Sequence, residues 1–97
     1  MIIHAETIEG TVASGSLSEN TNDIRGLCHQ VMVKPASETT IYNVSITNSK
    51  DVVVYERLSE TGTLAELVSI PVRGIYTVAI SSSTVDEVFI IQLGIQE

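Results

Sequence analysis

Apolar and polar positions alternate with a period of two through the second half of the chain. In TIYNVSITN, residues 40–48, Tyr42, Val44 and Ile46 share one face against Asn43, Ser45 and Thr47. GIYTVAISS, residues 74–82, sets Tyr76, Val78 and Ile80 against Thr77, Ala79 and Ser81. VFIIQLGIQ, residues 88–96, adds Phe89, Ile91 and Leu93. A period of two is that of a half-buried strand, because successive side chains point to opposite faces. The inward residues of these three segments are the predicted core.

Turn formers punctuate the pattern. NSKD, residues 48–51, reads as a hairpin loop, and SETG, residues 59–62, offers Gly62 for a positive φ. ASET and STVDE mark two more turns. Between them lie GLCHQVMVKP, a strand stopped by Pro35, and VVVYERL, residues 52–58. TLAELVSIPV, residues 63–72, is read as a strand over a short helix, ended or displaced at Pro71. Upstream, IIHAETIEGTVAS predicts one or two strands with Gly10 at a bulge or turn. Ile2, Ile8 and Val12 share one parity there, and Ile3, Ala5 and Ala13 the other. SGSLSENTND, residues 14–23, has Leu17 as its one large apolar residue and reads as a long loop or mobile hairpin tip.

Strands with turn signals every 8–12 residues or so predict an all-β fold. The expectation is an antiparallel β-sandwich of about seven to eight strands, immunoglobulin-like or jelly-roll-like. Residues 1–97 form a single domain, with 1–24 as an N-terminal arm and polar loop. Serine and threonine together number 21, and much of the 43% hydrophobic content is Ile and Val, which reinforces the strand reading.

Charge narrows the partners. Twelve acids against five bases give a formal net charge of -7. Such a chain repels nucleic-acid phosphates and anionic membrane surfaces. No apolar run approaches the roughly 20 residues of a membrane-spanning helix. One cysteine, Cys28, rules out an intrachain disulfide. MIIHAETIEG lacks the basic start and uninterrupted apolar run of a secretion signal. The expectation is synthesis and folding in a reducing cytoplasm.

Candidate chemistry is sparse. Cys28-His29 has the residue types of a nucleophile and its base, but neighbours on a strand diverge. His4, His29 and Cys28 lack the close-spaced ligand pairs of a structural zinc site. Glu19, Asn20, Asn22 and Asp23, and the pair Asp86-Glu87, carry calcium-type oxygens without the helix-loop-helix spacing. Gly10, Gly15 and Gly26 are isolated, so no phosphate-cradling loop is present. Arg25, Arg57 and Arg73 are spread, each near acids, as ion-paired surface residues would be. Asn43-Val44-Ser45 matches a glycosylation acceptor but falls within a strand. Tyr42 and Tyr76 lie on inward parities, which leaves Tyr55 as the one aromatic able to serve as a sugar platform. No catalytic residue, cofactor or metal is assigned, and an enzyme is not expected.

The positive signal is a second apolar parity. Val88 and Ile90 oppose the Phe89–Leu93 face, and Val52 and Val54 oppose Val53 and Tyr55. A half-exposed antiparallel strand should alternate cleanly, so a covering partner is implied. Val53, Ile75, Val88 and Ile90 are the predicted interface, clustered on one sheet and buried by homo-oligomerisation.

The G-x-Y-x-V run of residues 74–78 resembles strands of immunoglobulin-like sandwiches over residues 25 to 95, although no tryptophan or cysteine pair accompanies it. In its wider traits the chain resembles small virion proteins of tailed bacteriophages. These traits are small size, acidity, Ser/Thr-rich strands and two apolar faces. The resemblance implies a non-enzymatic structural protein made in the bacterial host cytoplasm and located in the virion. It would decorate or cement the capsid through homo-oligomer contacts, as a trimer, and through the major capsid or another virion protein. The alternatives are a tail or connector component, or a small module binding glycan or peptide through its loops.

Overall fold

The computed structural model describes residues 3–97. Its strands are β1 Ile3–Thr11, β2 Leu17–Asn20, β3 Ile24–Pro35, β4 Ile41–Thr47, β5 Val53–Thr61, β6 Leu64–Gly74, β7 Thr77–Ser81 and β8 Val88–Gln96. Among the described residues every regular element is a strand.

Four antiparallel ladders join β1 to β8, β2 to β7, β3 to β6 and β4 to β5. Each pairs strands at mirrored positions about the β4–β5 hairpin. Two more ladders, β3 with β8 and β4 with β7, assemble them into sheets. The first sheet has the order β1-β8-β3-β6 and the second β2-β7-β4-β5. A long hairpin ribbon wound across two packed sheets is the jelly roll. The immunoglobulin-like alternative is excluded, since that fold sets its first and second strands side by side in one sheet. Here β1 and β2 lie in different sheets.

The predicted core is the observed core. Tyr42, Val44, Ile46, Tyr76, Val78, Ile80, Phe89, Ile91 and Leu93 are all buried. Burying such side chains contributes roughly 1.5–3 kcal/mol each. Tyr42 and Phe89 meet edge to face across the two sheets, with ring centroids 5.1 Å apart and planes at 82°. The Tyr42 hydroxyl donates to the Gly62 carbonyl at 2.7 Å, so its burial leaves no polar group unpaired.

Several local expectations are corrected. The proposed N-terminal arm is a regular edge strand: β1 keeps an unbroken register with β8 from Ile3–Gln96 to Thr11–Val88. Gly10 sits within it opposite Phe89, close under Leu17. The expected place of Ile2 lies outside the described residues. Part of the polar segment 14–23 is β2, held by ladder bonds to β7. Its polarity hid it, because an edge strand needs few apolar residues to stay paired. Pro71 does not end β6, which runs through it to Gly74. β6 is an edge strand with one unpaired side, where a missing N–H costs no ladder bond.

Two corners place residues that periodicity alone misplaced. β7 starts at Thr77, so Ile75 and Tyr76 belong to the crossing from the first sheet to the second. The Tyr76 hydroxyl accepts from the Arg73 amide at 2.9 Å, and its own amide donates to Thr21 Oγ1 at 3.0 Å. In β3 the register against β8 shifts between Cys28 and Gln30, leaving His29 as a bulge. The bulge lets Cys28 point inward along with Val31 and Val33, despite the odd spacing.

Candidate functional site

The residues with catalytic or ligating chemistry do not converge. Cys28 is buried in the core, where burial pushes its thiol pKa up, away from the reactive thiolate. The His29 ring lies on the other side of the sheet over Gly94: a Cβ there would stand 3.1 Å from its Cε1. The divergence expected of Cys28 and His29 is therefore observed. His4 and His29 do border one shallow hollow, together with Ala5, Gln30, Gln92 and Gly94. His4 Nδ1 stands 3.6 Å from Glu97 Oε2. Among the described residues no three His, Cys, Asp or Glu side chains gather as a metal site would require.

Several of the candidate acids and amides do structural tasks. Asp86 accepts from the amides of Ser14 and Gly15 at 3.0 and 2.9 Å. Glu87 accepts from the Thr40 hydroxyl. Asn20 accepts from the Thr77 hydroxyl at 3.0 Å. Asn48 caps the 48–51 hairpin, accepting from the amides of Lys50 and Val52.

Tyr55 is not a sugar platform. It is buried, and its hydroxyl donates to Glu66 Oε1 at 2.8 Å. Arg57 donates to Glu66 Oε2 at 2.5 Å, with its guanidinium 5.2 Å from the Tyr55 ring centroid. This clasp ties the edge of the second sheet, at β5, to the edge of the first, at β6. Arg57 is thus ion-paired as expected, whereas Arg25 and Arg73 sit opposite each other across β3 and β6.

The clasp has a pH signature. The Arg57 guanidinium, and then the Tyr55 hydroxyl, hold the Glu66 carboxyl below the usual carboxylate range. In the unfolded chain that carboxyl titrates near its ordinary value of about 4.3. Its contribution to stability is present above that pH and is lost as pH falls through the lower folded-state value. Glu38, held low by Thr63, acts in the same direction. Glu66→Gln is expected to flatten part of the loss of stability on acidification, measured by urea unfolding from about pH 5 to pH 3. Parallel losses in both proteins would remove the clasp from the acid limb.

What remains is the exterior of the sheets. All four predicted interface residues are exposed, but they form no single cluster. Val53 lies on β5, at the edge of the second sheet, and Ile75 in the β6–β7 corner. Val88 and Ile90 project from β8, an inner strand of the first sheet. The clustering was inferred from parity, which assigns a face but not a sheet.

Val88 and Ile90, 39% and 38% exposed, border an apolar depression with Lys34, Pro35 and Ala36. Ile90 stands directly between Glu9 of β1 and Lys34 of β3. Leu67 on β6, 83% exposed, is a further apolar residue that the sequence reading passed over. Its signal was available: Leu64, Val68, Ile70 and Val72 share one parity, and Leu67 takes the other.

No protein-family model matches this chain, and no curated protein matches it.

Proposed function

We propose that this chain is a non-enzymatic structural subunit of a tailed-bacteriophage virion, decorating or stabilising the capsid through the exterior of its first sheet. The observation that carries the reading is the Val88–Ile90 surface on an inner strand of that sheet. Large aliphatic side chains there gain by being covered, and their strand is fixed by neighbours on both sides. Jelly rolls serve viral capsids, lectins and cupins alike, so the architecture does not choose among them. The side chains support the capsid reading. All four aromatics are buried, which leaves no stacking platform for a glycan. The two histidines border a surface hollow, not an interior metal pocket.

In this reading the protein is made in the bacterial host cytoplasm and joins the particle by contact with copies of itself and with the major capsid or another virion protein. Quantitative mass spectrometry of density-banded phage particles from an infected host tests it. The chain is expected in the banded particles at a fixed copy number relative to the major capsid protein. Its presence in the lysate but absence from washed particles would overturn the reading.

A further inference from the structure

The exterior of the first sheet carries a distinct charge pattern. Glu9, Ile90 and Lys34 form one row across three adjacent strands: Glu9 on β1 and Lys34 on β3 are both cross-strand partners of Ile90 on β8. All three are exposed. Neighbouring strands lie about 4.8 Å apart, so the row is an acid, an apolar centre and a base at nearly even spacing. Val88 lies two residues before Ile90 on the same face, beside Thr11 of β1.

We infer that this face binds a second copy of the chain, in a two-fold dimer whose axis runs along β8. The inference rests on the assembly role proposed above and names the partner. A half-turn about an axis along β8 lays Ile90 on the partner's Ile90 and Val88 on the partner's Val88. It also exchanges the β1 and β3 sides. Each Glu9 then faces the partner's Lys34, and each Lys34 faces the partner's Glu9. The pattern complements itself under this operation, as an isologous interface requires. Face-to-face sheets pack about 10 Å apart, a gap that aliphatic side chains from both faces fill.

The net charge supports the choice of face. At a formal -7 per chain, two copies repel over most of their surfaces. The Glu9–Ile90–Lys34 row is locally neutral, so contact there escapes that repulsion. The three-fold arrangement implied by the resemblance to phage decoration proteins has no counterpart in this row, whereas the two-fold follows from its register.

Charge reversal tests the pairing. The wild-type protein is expected to be a dimer at micromolar concentration by light scattering and sedimentation equilibrium. Lys34→Glu sets acid against acid at both contacts, and Glu9→Lys sets base against base. Each is expected to weaken the dimer at least tenfold. The double variant Glu9→Lys/Lys34→Glu restores both pairs and is expected to recover the dimer. Mixing the two single variants is expected to yield heterodimers, because every contact between them is complementary. Circular dichroism confirms that each variant is folded, and Ile90→Asp provides an independent disruption of the apolar centre. A monomeric wild type, a trimer, or a dimer indifferent to the single reversals would overturn the inference. So would a double variant that fails to recover. A monomer found in banded particles defeats the dimer alone, while a dimer missing from them defeats the virion reading alone.

Discussion

Phe89→Ala is expected to lower stability by about 3–5 kcal/mol, the range for truncating a fully buried phenylalanine. Phe89 has no solvent exposure and lies on β8, which is bonded on both sides, to β1 and to β3. Its ring is the edge-to-face partner of Tyr42 across the sandwich. Removing it forfeits the transfer energy of the ring, opens a cavity between the sheets and strips Tyr42 of its aromatic neighbour. A domain of this size has roughly 5–15 kcal/mol in all. The variant should therefore be largely unfolded at moderate urea concentrations that leave the wild type intact. A measured loss below about 1 kcal/mol would mean that the sheets close over the gap and that this ring does not anchor them.

Gly62→Ala is the second large effect. Gly62 turns the chain out of β5 in the second sheet and into β6 in the first, with φ at +69°. An alanine in that left-handed region costs roughly 1–2 kcal/mol by conformation alone. A Cβ there would also lie 2.5 Å from the Glu38 carbonyl oxygen, a backbone atom that cannot swing aside. The same glycine donates its amide to the Thr40 carbonyl at 2.9 Å and accepts from the buried Tyr42 hydroxyl. Displacing the corner therefore disturbs the core hydroxyl as well. The expected total is about 2–4 kcal/mol, within the band where strain and a disturbed buried hydrogen bond act together. Urea unfolding compares it with Gly74→Ala. Gly74 has φ at +106°, but no atom lies within 4 Å of its would-be Cβ. Alanine is more strained at +106° than at +69°, so a loss at Gly62 that matches or exceeds the loss at Gly74 supports the Glu38 contact, and a clearly smaller one removes it.

Strands with one buried face were readable residue by residue. β4 and β7 alternate in the sequence as they do in space, β8 does so from Ile91 onward, and Gly62 announced its turn. β2 was not readable, because Leu17 is its one residue packed against the core and ladder bonds carry no side-chain signature. Tyr55 was misjudged because its hydroxyl is satisfied by Glu66, which lies on the next strand but in the other sheet. The candidate surface was half legible. The second parity of Val88 and Ile90 marked them as exposed. Their separation from Val53 and Ile75 depends on which strand joins which sheet. The Glu9–Ile90–Lys34 row appears only once β1 and β3 are known to flank β8, since register is a property of the pairing and not of any one strand.

The mirrored pairing also fixes when the two halves of the molecule can be finished during synthesis. Every strand of the second sheet has left the peptidyl-transferase centre once Ser81 is added. The first sheet is then still in pieces: β1 has β8 as its only neighbour, and β8 has not been made. Its closing strand enters the middle of the sheet, between β1 and β3, with Gln96 reaching back to Ile3. Folding dominated by such distant pairings belongs to the slow class, milliseconds to seconds. A chain released from the ribosome after Ser81 would thus hold every strand of the second sheet, with the inward face of the first still lacking β8. Until β8 is paired, the inward face of the first sheet stays open to chaperones and to neighbouring chains.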